Sequence, residues 1–343
     1  MRSAFLLLIL SLAFAAPGHA GEASFADQWA VYRDKFVTGD GRVVDTGNKS
    51  VSHTEGQGWA MLFAETAGDR ASFDNIYGWT VAHLARPGTA LFAWRWDPAH
   101  PAHPVADTND ASDGDTLIAW ALIRAAQRWQ APKYRTAARR IAVEIRDRLL
   151  AAVARRLVLL PGRAGFLRDD GSIVINPSYY IYPAFKDLAR AAPGYQWRRL
   201  HADGLALLDK ARFGEWSLPC DWDSVDPDGA VVPAPGLPPR FGYAAIRVPL
   251  YLIWSGDATV SRLAPYLDLW SGFGDKPVAA WADVDDGKLA PYAAPPGMQA
   301  VVQLVEEWRH PEPKPLPVIG DHDDYYSASL MLLSRIARDE AGA

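Results

Sequence analysis

Eleven stretches of this chain repeat apolar residues at the 3.6-residue spacing of a helix with one buried face, and only brief extended runs separate them. The spacing predicts helices over residues 25–37, 54–64, 71–86, 113–129, 133–153, 176–192, 196–213, 243–255, 258–272, 296–308 and 324–338. Each must bury its stripe against a neighbour. Helices that recur in hairpins, without a sharp period of about 30–45 residues, suit a bundle or a closed ring of hairpins rather than a solenoid. Residues 91–96 read as extended, Asp169-Asp170-Gly171 as the turn of a hairpin, and residues 219–240, with six prolines, as a long loop.

The first twenty residues read as an export signal: Arg2, an apolar run from Ala4 to Ala16, and small residues at Gly18-His19-Ala20. That run is too short to span a bilayer, and no later stretch is long and apolar enough. The mature chain is therefore expected to begin near Gly21, to be periplasmic or secreted, and to form one domain over residues 21–343, since no low-complexity linker divides it. A single cysteine, Cys220, leaves no internal disulfide and shows no nearby His pattern of a thiol enzyme, so stability must come from a packed core, for which 49% hydrophobic residues suffice. The 35 basic and 40 acidic residues include no basic run, which argues against nucleic acid or anionic lipid as partner. The 14 Trp and 13 Tyr supply flat apolar faces with polar rims, suited to sugar rings.

Two carboxylates open helices and point along their apolar faces. Asp113 lies four residues before Leu117, on the stripe that continues through Ala121 and Ala125 to Trp129, and Asp110 or Ser112 can cap that helix. The positive end of the helix dipole is expected to keep Asp113 ionised. The plainer reading is that Asp113 and Asp115 only cap and solvate the helix. Glu55 stands at i, i+4, i+8 with Trp59 and Phe63, and an apolar surround is expected to raise its pKa, as an acid catalyst needs. Gly56 and Gly58 each cost the helix about 1 kcal/mol relative to alanine, which points to close approach by a ligand or another backbone. Glycoside hydrolysis uses two such carboxyls, one to protonate the leaving oxygen and one to activate water or stabilise positive charge. Asp321-His322-Asp323-Asp324 lacks a ligand spacing and reads as helix capping, and the basic face of residues 133–153 as solvated exterior.

Ala111-Ser112-Asp113-Gly114-Asp115, followed by Ile118-Ala119, Ala121-Leu122, Ala125 and Trp129, resembles the signature of glycoside hydrolase family 8 at every constrained position. Further pieces agree: Glu55-Gly56-Gln57-Gly58, Phe92-Ala93-Trp94-Arg95-Trp96, Asn176-Pro177-Ser178-Tyr179-Tyr180, Ile246-Arg247-Val248-Pro249 and Asp324-Tyr325-Tyr326-Ser327-Ala328-Ser329. The resemblance spans nearly the whole mature chain and is greatest to the periplasmic cellulases that accompany bacterial cellulose synthesis. It implies an all-α (α/α)6 barrel with a few short strands, so twelve helices rather than eleven. It also implies inverting endo-hydrolysis of β-1,4-glucan without metal or organic cofactor, with a cellulose synthase complex as a possible partner. By the same carry-over Glu55 is the proton donor, Asp113 the residue that holds the distorted sugar, and Trp59, Trp94, Arg95, Trp96, Tyr179, Tyr180, Tyr243 and Arg247 candidates for stacking and hydrogen bonding to sugar.

One position departs from the family. Where similar proteins read Tyr-Asp-Ala before Ile-Arg, this chain reads Tyr243-Ala244-Ala245, and the family aspartate there is the general base. An alanine takes no proton, and losing a positioned base costs about 10²–10⁴-fold in rate. The expectation is a crippled hydrolase that still binds glucan. Either an Asp→Ala change made to trap substrate, or natural loss with Asp221 or Asp223 standing in, would produce it. The rival readings are a non-catalytic glucan-binding protein, the same fold turned to chitosan or xylan, and a purely structural partner of a synthesis complex.

Overall fold

The computed structural model of the chain describes residues 23–341, so the export signal expected over residues 1–20 lies outside the described residues. Eleven α-helices lie among the described residues, near the predicted stretches: α1 (Phe25–Phe36), α2 (Thr54–Ala67), α3 (Arg70–Leu84), α4 (Ser112–Arg128), α5 (Pro132–Arg148), α6 (Tyr182–Ala191), α7 (Gln196–Leu208), α8 (Arg247–Ser255), α9 (Val260–Ser271), α10 (Pro296–Glu306) and α11 (Tyr325–Ala341). α6, α7 and α8 are shorter than expected: α6 starts at Tyr182 because Asn176 caps a separate 3₁₀ turn over Pro177–Tyr179, α7 ends at Leu208 rather than 213, and α8 starts at Arg247 rather than 243. Local chemistry sets several ends. Ser24 Oγ accepts the Asp27 N–H to start α1, Pro132 opens α5, and Gly68, at φ +78°, closes α2 in the left-handed conformation.

The helices alternate between an inner and an outer layer. α2 packs on α4, α4 on α6, α6 on α8, α8 on both α10 and α11, and α11 closes the ring on α2. α2, α4 and α8 are buried almost throughout, whereas α1, α3, α5, α7 and α9 bury one face and present the other to solvent. This is the (α/α)6 barrel that the resemblance implies, with one correction. No twelfth helix exists among the described residues. The outer position between α10 and α11 is taken by extended chain, because Pro311, Pro313, Pro315 and Pro317 occupy alternate positions and exclude helix. Its backbone is held from both layers: Gln303 Nε2 donates to the Lys314 and Pro315 carbonyls at 3.0 and 3.2 Å, Arg335 Nη2 to the Leu316 carbonyl at 3.0 Å, and Gln28 Oε1 accepts the Ile319 N–H at 2.7 Å.

Short antiparallel strands decorate the ring. β1 (Ser52–His53) pairs with β2 (Arg95–Trp96), β3 (Leu150–Val153) with β4 (Arg156–Leu159), and β8 (Arg240–Phe241) with β9 (Ala282–Asp283), while β5 (Ile173–Ile175), β6 (Asp223–Val225) and β7 (Val231–Pro233) form a three-stranded sheet. Two expectations need correcting here. The helix expected to reach residue 153 stops at Arg148, because Ala154 and Arg155 adopt positive φ and turn the chain into a hairpin. The proline-rich segment 219–240 is not all loop: Ile175 opposes Asp223, which opposes Pro233, and the proline sits on the outer strand where no ladder N–H is needed. The Asp169-Asp170-Gly171 turn forms as expected, with Gly171 at φ +85° and Leu167 bridged to Ile173.

Candidate active site

The N-terminal ends of α2, α4, α8 and α11, with the turn before α6, meet at one end of the ring. Glu55 is the second residue of α2. His53 on β1 caps that helix: Nδ1 accepts the Gly56 N–H at 3.1 Å, which leaves Nε2–H for Asp45 Oδ2 at 3.2 Å. Asp113 is the second residue of α4. α2 packs closely through glycine on two sides: a Cβ on Gly58 would lie 2.5 Å from Leu117 Cβ of α4, and one on Gly56 would lie 2.5 Å from the Tyr325 hydroxyl oxygen of α11. The close approach that Gly56 and Gly58 signal is thus made by the protein itself, and the one at Gly58 sets the spacing between the two carboxyl-bearing helix ends.

Arg247, the first residue of α8, ties the site together although it is almost completely buried. Its Nη1 pairs with Glu55 Oε1, Nη2 donates to Ser178 Oγ at 2.8 Å, and Nε reaches the Ala244 carbonyl at 3.4 Å. The guanidinium carbon lies 5.4 Å from the centre of the Trp59 ring. Asp113 Oδ1 accepts the Gly114 N–H at 2.7 Å, and its Oδ2 has no hydrogen-bond partner among the described residues.

That geometry overturns the expectation that the helix dipole keeps Asp113 ionised. Burial first, and the charge of Glu55 second, push its pKa well above the usual carboxylate range, against the pull of Arg247. Burial beside the Glu55–Arg247 ion pair thus favours the protonated form of Asp113. The Tyr179 hydroxyl is raised as well, by burial and then by Asp113 and Glu55, which places it beside both carboxyls. Asp115 and Asp113 are both buried, so neither solvates the helix; Asp115 Oδ1 instead accepts the Phe92 N–H at 3.0 Å. The expected caps also differ. Asp110 is taken by Arg163 at 3.1 Å and Arg86 at 3.6 Å, and Ser112 Oγ caps nothing. Two neighbouring carboxyls, one gripped by an arginine and the other deeply buried, bordered by aromatic rings, offer the two groups that glycoside hydrolysis uses.

A profile of glycosyl hydrolases family 8 matches residues 2–340. The chain is 42% identical over 316 residues to a protein named "Probable endoglucanase" from Novacetimonas hansenii, covering 92% of this chain and 91% of that one. Among solved structures it resembles endo-beta-1,4-glucanase CMCax from Acetobacter xylinum (TM-score 0.88, 42% identity, 93% of this chain and 99% of that one) and a family 8 endoglucanase from Klebsiella pneumoniae (TM-score 0.87, 41% identity, 92% and 99%).

The chain belongs to glycosyl hydrolase family 8.

Within this family 8 site the sugar-contact candidates divide. Trp59 and Tyr180 offer no face to a sugar, because both are fully enclosed: Trp59 backs Arg247 and stacks on Tyr325, and the Tyr180 hydroxyl accepts the Leu159 N–H at 3.0 Å. Arg247 is likewise spent on Glu55 and Ser178, so it positions the Glu55 side chain. Trp94, Arg95 and Trp96 remain half-buried beside the start of α2, where the Thr54 N–H donates to the Trp94 carbonyl at 3.0 Å. Trp94 Nε1 donates to Asp107 at 2.8 Å, Arg95 pairs with Asp97 at 3.1 Å, and Arg42 lies over Trp96 at 5.0 Å. Tyr243 is 42% exposed and adjoins Tyr326, whose hydroxyl donates to the Tyr243 carbonyl. Ser178, Tyr326 and Trp222 received no role from sequence. The first two stand in family-like segments that signalled them. Trp222 meets Tyr179 edge-on and lies parallel to Phe166, each at 6.0 Å, continuing the aromatic surface away from the carboxyls, and nothing in its local sequence announced it. Asp324 caps α11 as read, its Oδ1 accepting the Ser327 N–H at 2.7 Å, while Asp323 Oδ1 accepts the Ser327 hydroxyl at 3.0 Å, and no group of metal-binding side chains occurs among the described residues.

Proposed function

We propose that this family 8 chain hydrolyses internal β-1,4-glucosidic bonds of cellulose-like glucan by inversion. The observation that carries the reading is that the α2–α4 contact brings Glu55 and Asp113 together at one end of the ring, with Arg247 gripping Glu55. Glu55, with 19% of its side chain exposed, is the member that reaches substrate and gives the proton to the leaving oxygen. Asp113, deeper and kept protonated by burial, holds the distorted sugar. The endoglucanase names of relatives at 41–42% identity support glucan as the substrate. Ala244 offers no proton acceptor, so turnover is slower than in an aspartate-bearing form.

Reducing-end release from carboxymethylcellulose by this chain, Ala244→Asp and Glu55→Gln tests the reading. The expected order is Ala244→Asp fastest, the chain as it stands slower, Glu55→Gln at background. Ala244 also favours a second reading, glucan binding without turnover; tight cello-oligosaccharide binding with no product even from Ala244→Asp would establish that one instead. We further read the protein as exported, periplasmic or secreted, and acting beside a cellulose synthase complex, supported by the signal-like residues 1–20 and the likeness of its motifs. Cell fractionation and co-purification with the synthase check both points.

A further inference from the structure

Inversion needs a carboxylate that takes a proton from the attacking water, in addition to the acid that protonates the leaving oxygen. Besides Glu55 and Asp113, a third carboxylate lies within electrostatic reach of Arg247, and it belongs to Asp221. Asp221 stands against the very turn that carries Ala244. Its Oδ1 accepts the backbone N–H groups of Gly242, Ala244 and Ala245 at 3.1, 3.0 and 2.7 Å. Three donors on one oxygen fix the carboxylate, and its Oδ2 has no hydrogen-bond partner among the described residues. A Cβ at position 242 would sit 3.0 Å from that oxygen, so glycine there keeps its surroundings open. Asp221 and Glu55 both raise the Tyr326 hydroxyl, so both stand near it. Burial pushes the Asp221 pKa up despite the three N–H donors, a direction that strengthens it as a base. Asp223, the other candidate, is fully enclosed: one oxygen accepts the Cys220 N–H and the residue lines a small internal cavity with Ile175, Tyr180 and Leu207.

We propose that Asp221 is the general base of this chain, taking the proton of the attacking water in place of a side chain at position 244. The inference rests on the endoglucanase reading above. A methyl in place of a carboxymethyl at 244 makes room on the order of one water, about 30 Å³, beside Asp221. In the step, Glu55 gives its proton to the glycosidic oxygen as the bond from that oxygen to C1 breaks. The water oxygen bonds to C1 from the opposite face, and one of its protons passes to Asp221 Oδ2. One product leaves as an alcohol and the other as a hemiacetal of inverted configuration. Glu55 is then ionised and Asp221 protonated, and proton exchange with solvent resets both.

The test uses four full-length proteins: the chain as it stands, Asp221→Asn, Ala244→Asp and the double variant. Asparagine at 221 keeps an oxygen for the three N–H groups and accepts no proton. Asp221→Asn alone is expected to lower kcat on cellopentaose by about 10²-fold or more. The same change in the Ala244→Asp background is expected to cost only a few fold, because a base is again present at 244. An equal loss in both backgrounds would show that Asp221 only anchors the turn and would overturn the proposal. So would an undetectable rate for the unmodified chain beside a fast Ala244→Asp, which leaves the endoglucanase reading intact. Failure of both of these proteins to cleave would remove that reading and the proposal together. A second readout needs no change at 221. The acidic limb of kcat/KM for the unmodified chain should lie at higher pH than that of Ala244→Asp, and coincident limbs would refute Asp221 as the base.

Discussion

Gly58→Ala should separate catalysis from stability in this protein. The added Cβ would lie 2.5 Å from Leu117 Cβ, with the Ile118 nitrogen at 3.2 Å and the Leu117 carbonyl carbon at 3.3 Å. Carbon atoms sit comfortably at about 3.5–4.0 Å, so α2 and α4 must separate by roughly 1 Å. Gly58 is three residues beyond Glu55 and Leu117 four beyond Asp113, one helical turn in each case, so the displacement passes to the carboxyl pair nearly undiminished. A misplacement of about 1 Å costs on the order of 10²-fold in rate. Stability moves far less. Overpacking costs about 1–3 kcal/mol, while alanine in place of glycine inside a helix returns about 1 kcal/mol. The net of roughly 0–2 kcal/mol corresponds to a Tm shift of only a few degrees in a chain of this size. Initial rates on carboxymethylcellulose beside a circular-dichroism melt measure both quantities, best in the Ala244→Asp background where the rate is high. Full activity in Gly58→Ala would show that the α2–α4 contact does not set the catalytic spacing.

Asp113→Asn should abolish turnover yet raise stability at neutral pH. Burial raises the folded-state pKa of Asp113, so above about pH 4 the folded chain binds more protons than the unfolded one, and stability falls as pH climbs through the raised value. An amide removes that loss, so the Tm advantage of Asp113→Asn should widen from pH 5 to pH 8; a Tm below that of the unmodified chain at pH 7 would contradict the assigned electrostatics. Arg247→Met should cost about 3–5 kcal/mol by urea titration and abolish activity, since it leaves Glu55 partly buried beside Asp113 without its cation. Asp110→Ala should cost about 3 kcal/mol, seen as a lower urea midpoint, because Arg86 is left largely buried without its carboxylate, whereas Arg163 reaches solvent.

The eleven helices and the placing of Glu55 and Asp113 at helix starts were legible in the sequence because both are local. A 3.6-residue apolar stripe, a glycine at a helix end and a proline at a helix start each act over one or two turns, and the stripe of α4 is buried where its spacing says. Even the missing twelfth helix was written in the alternate prolines of residues 311–317, though the family resemblance argued the other way. What local pattern could not carry was the choice among equivalent side chains. Trp59 and Trp94 read alike as aromatic residues in family-like segments, and only packing decided that Trp59 backs Arg247 while Trp94 stays half-exposed. The Glu55–Arg247 pair joins residues 192 positions apart, and Asp221 meets the turn at 244 from 23 positions away. Strand pairing of Asp223 with Ile175 and Pro233 is equally non-local. The protonation of Asp113 follows the same rule: the helix dipole that favours its charge is local, but the burial and the neighbouring carboxyl that outweigh it exist only once the ring has closed.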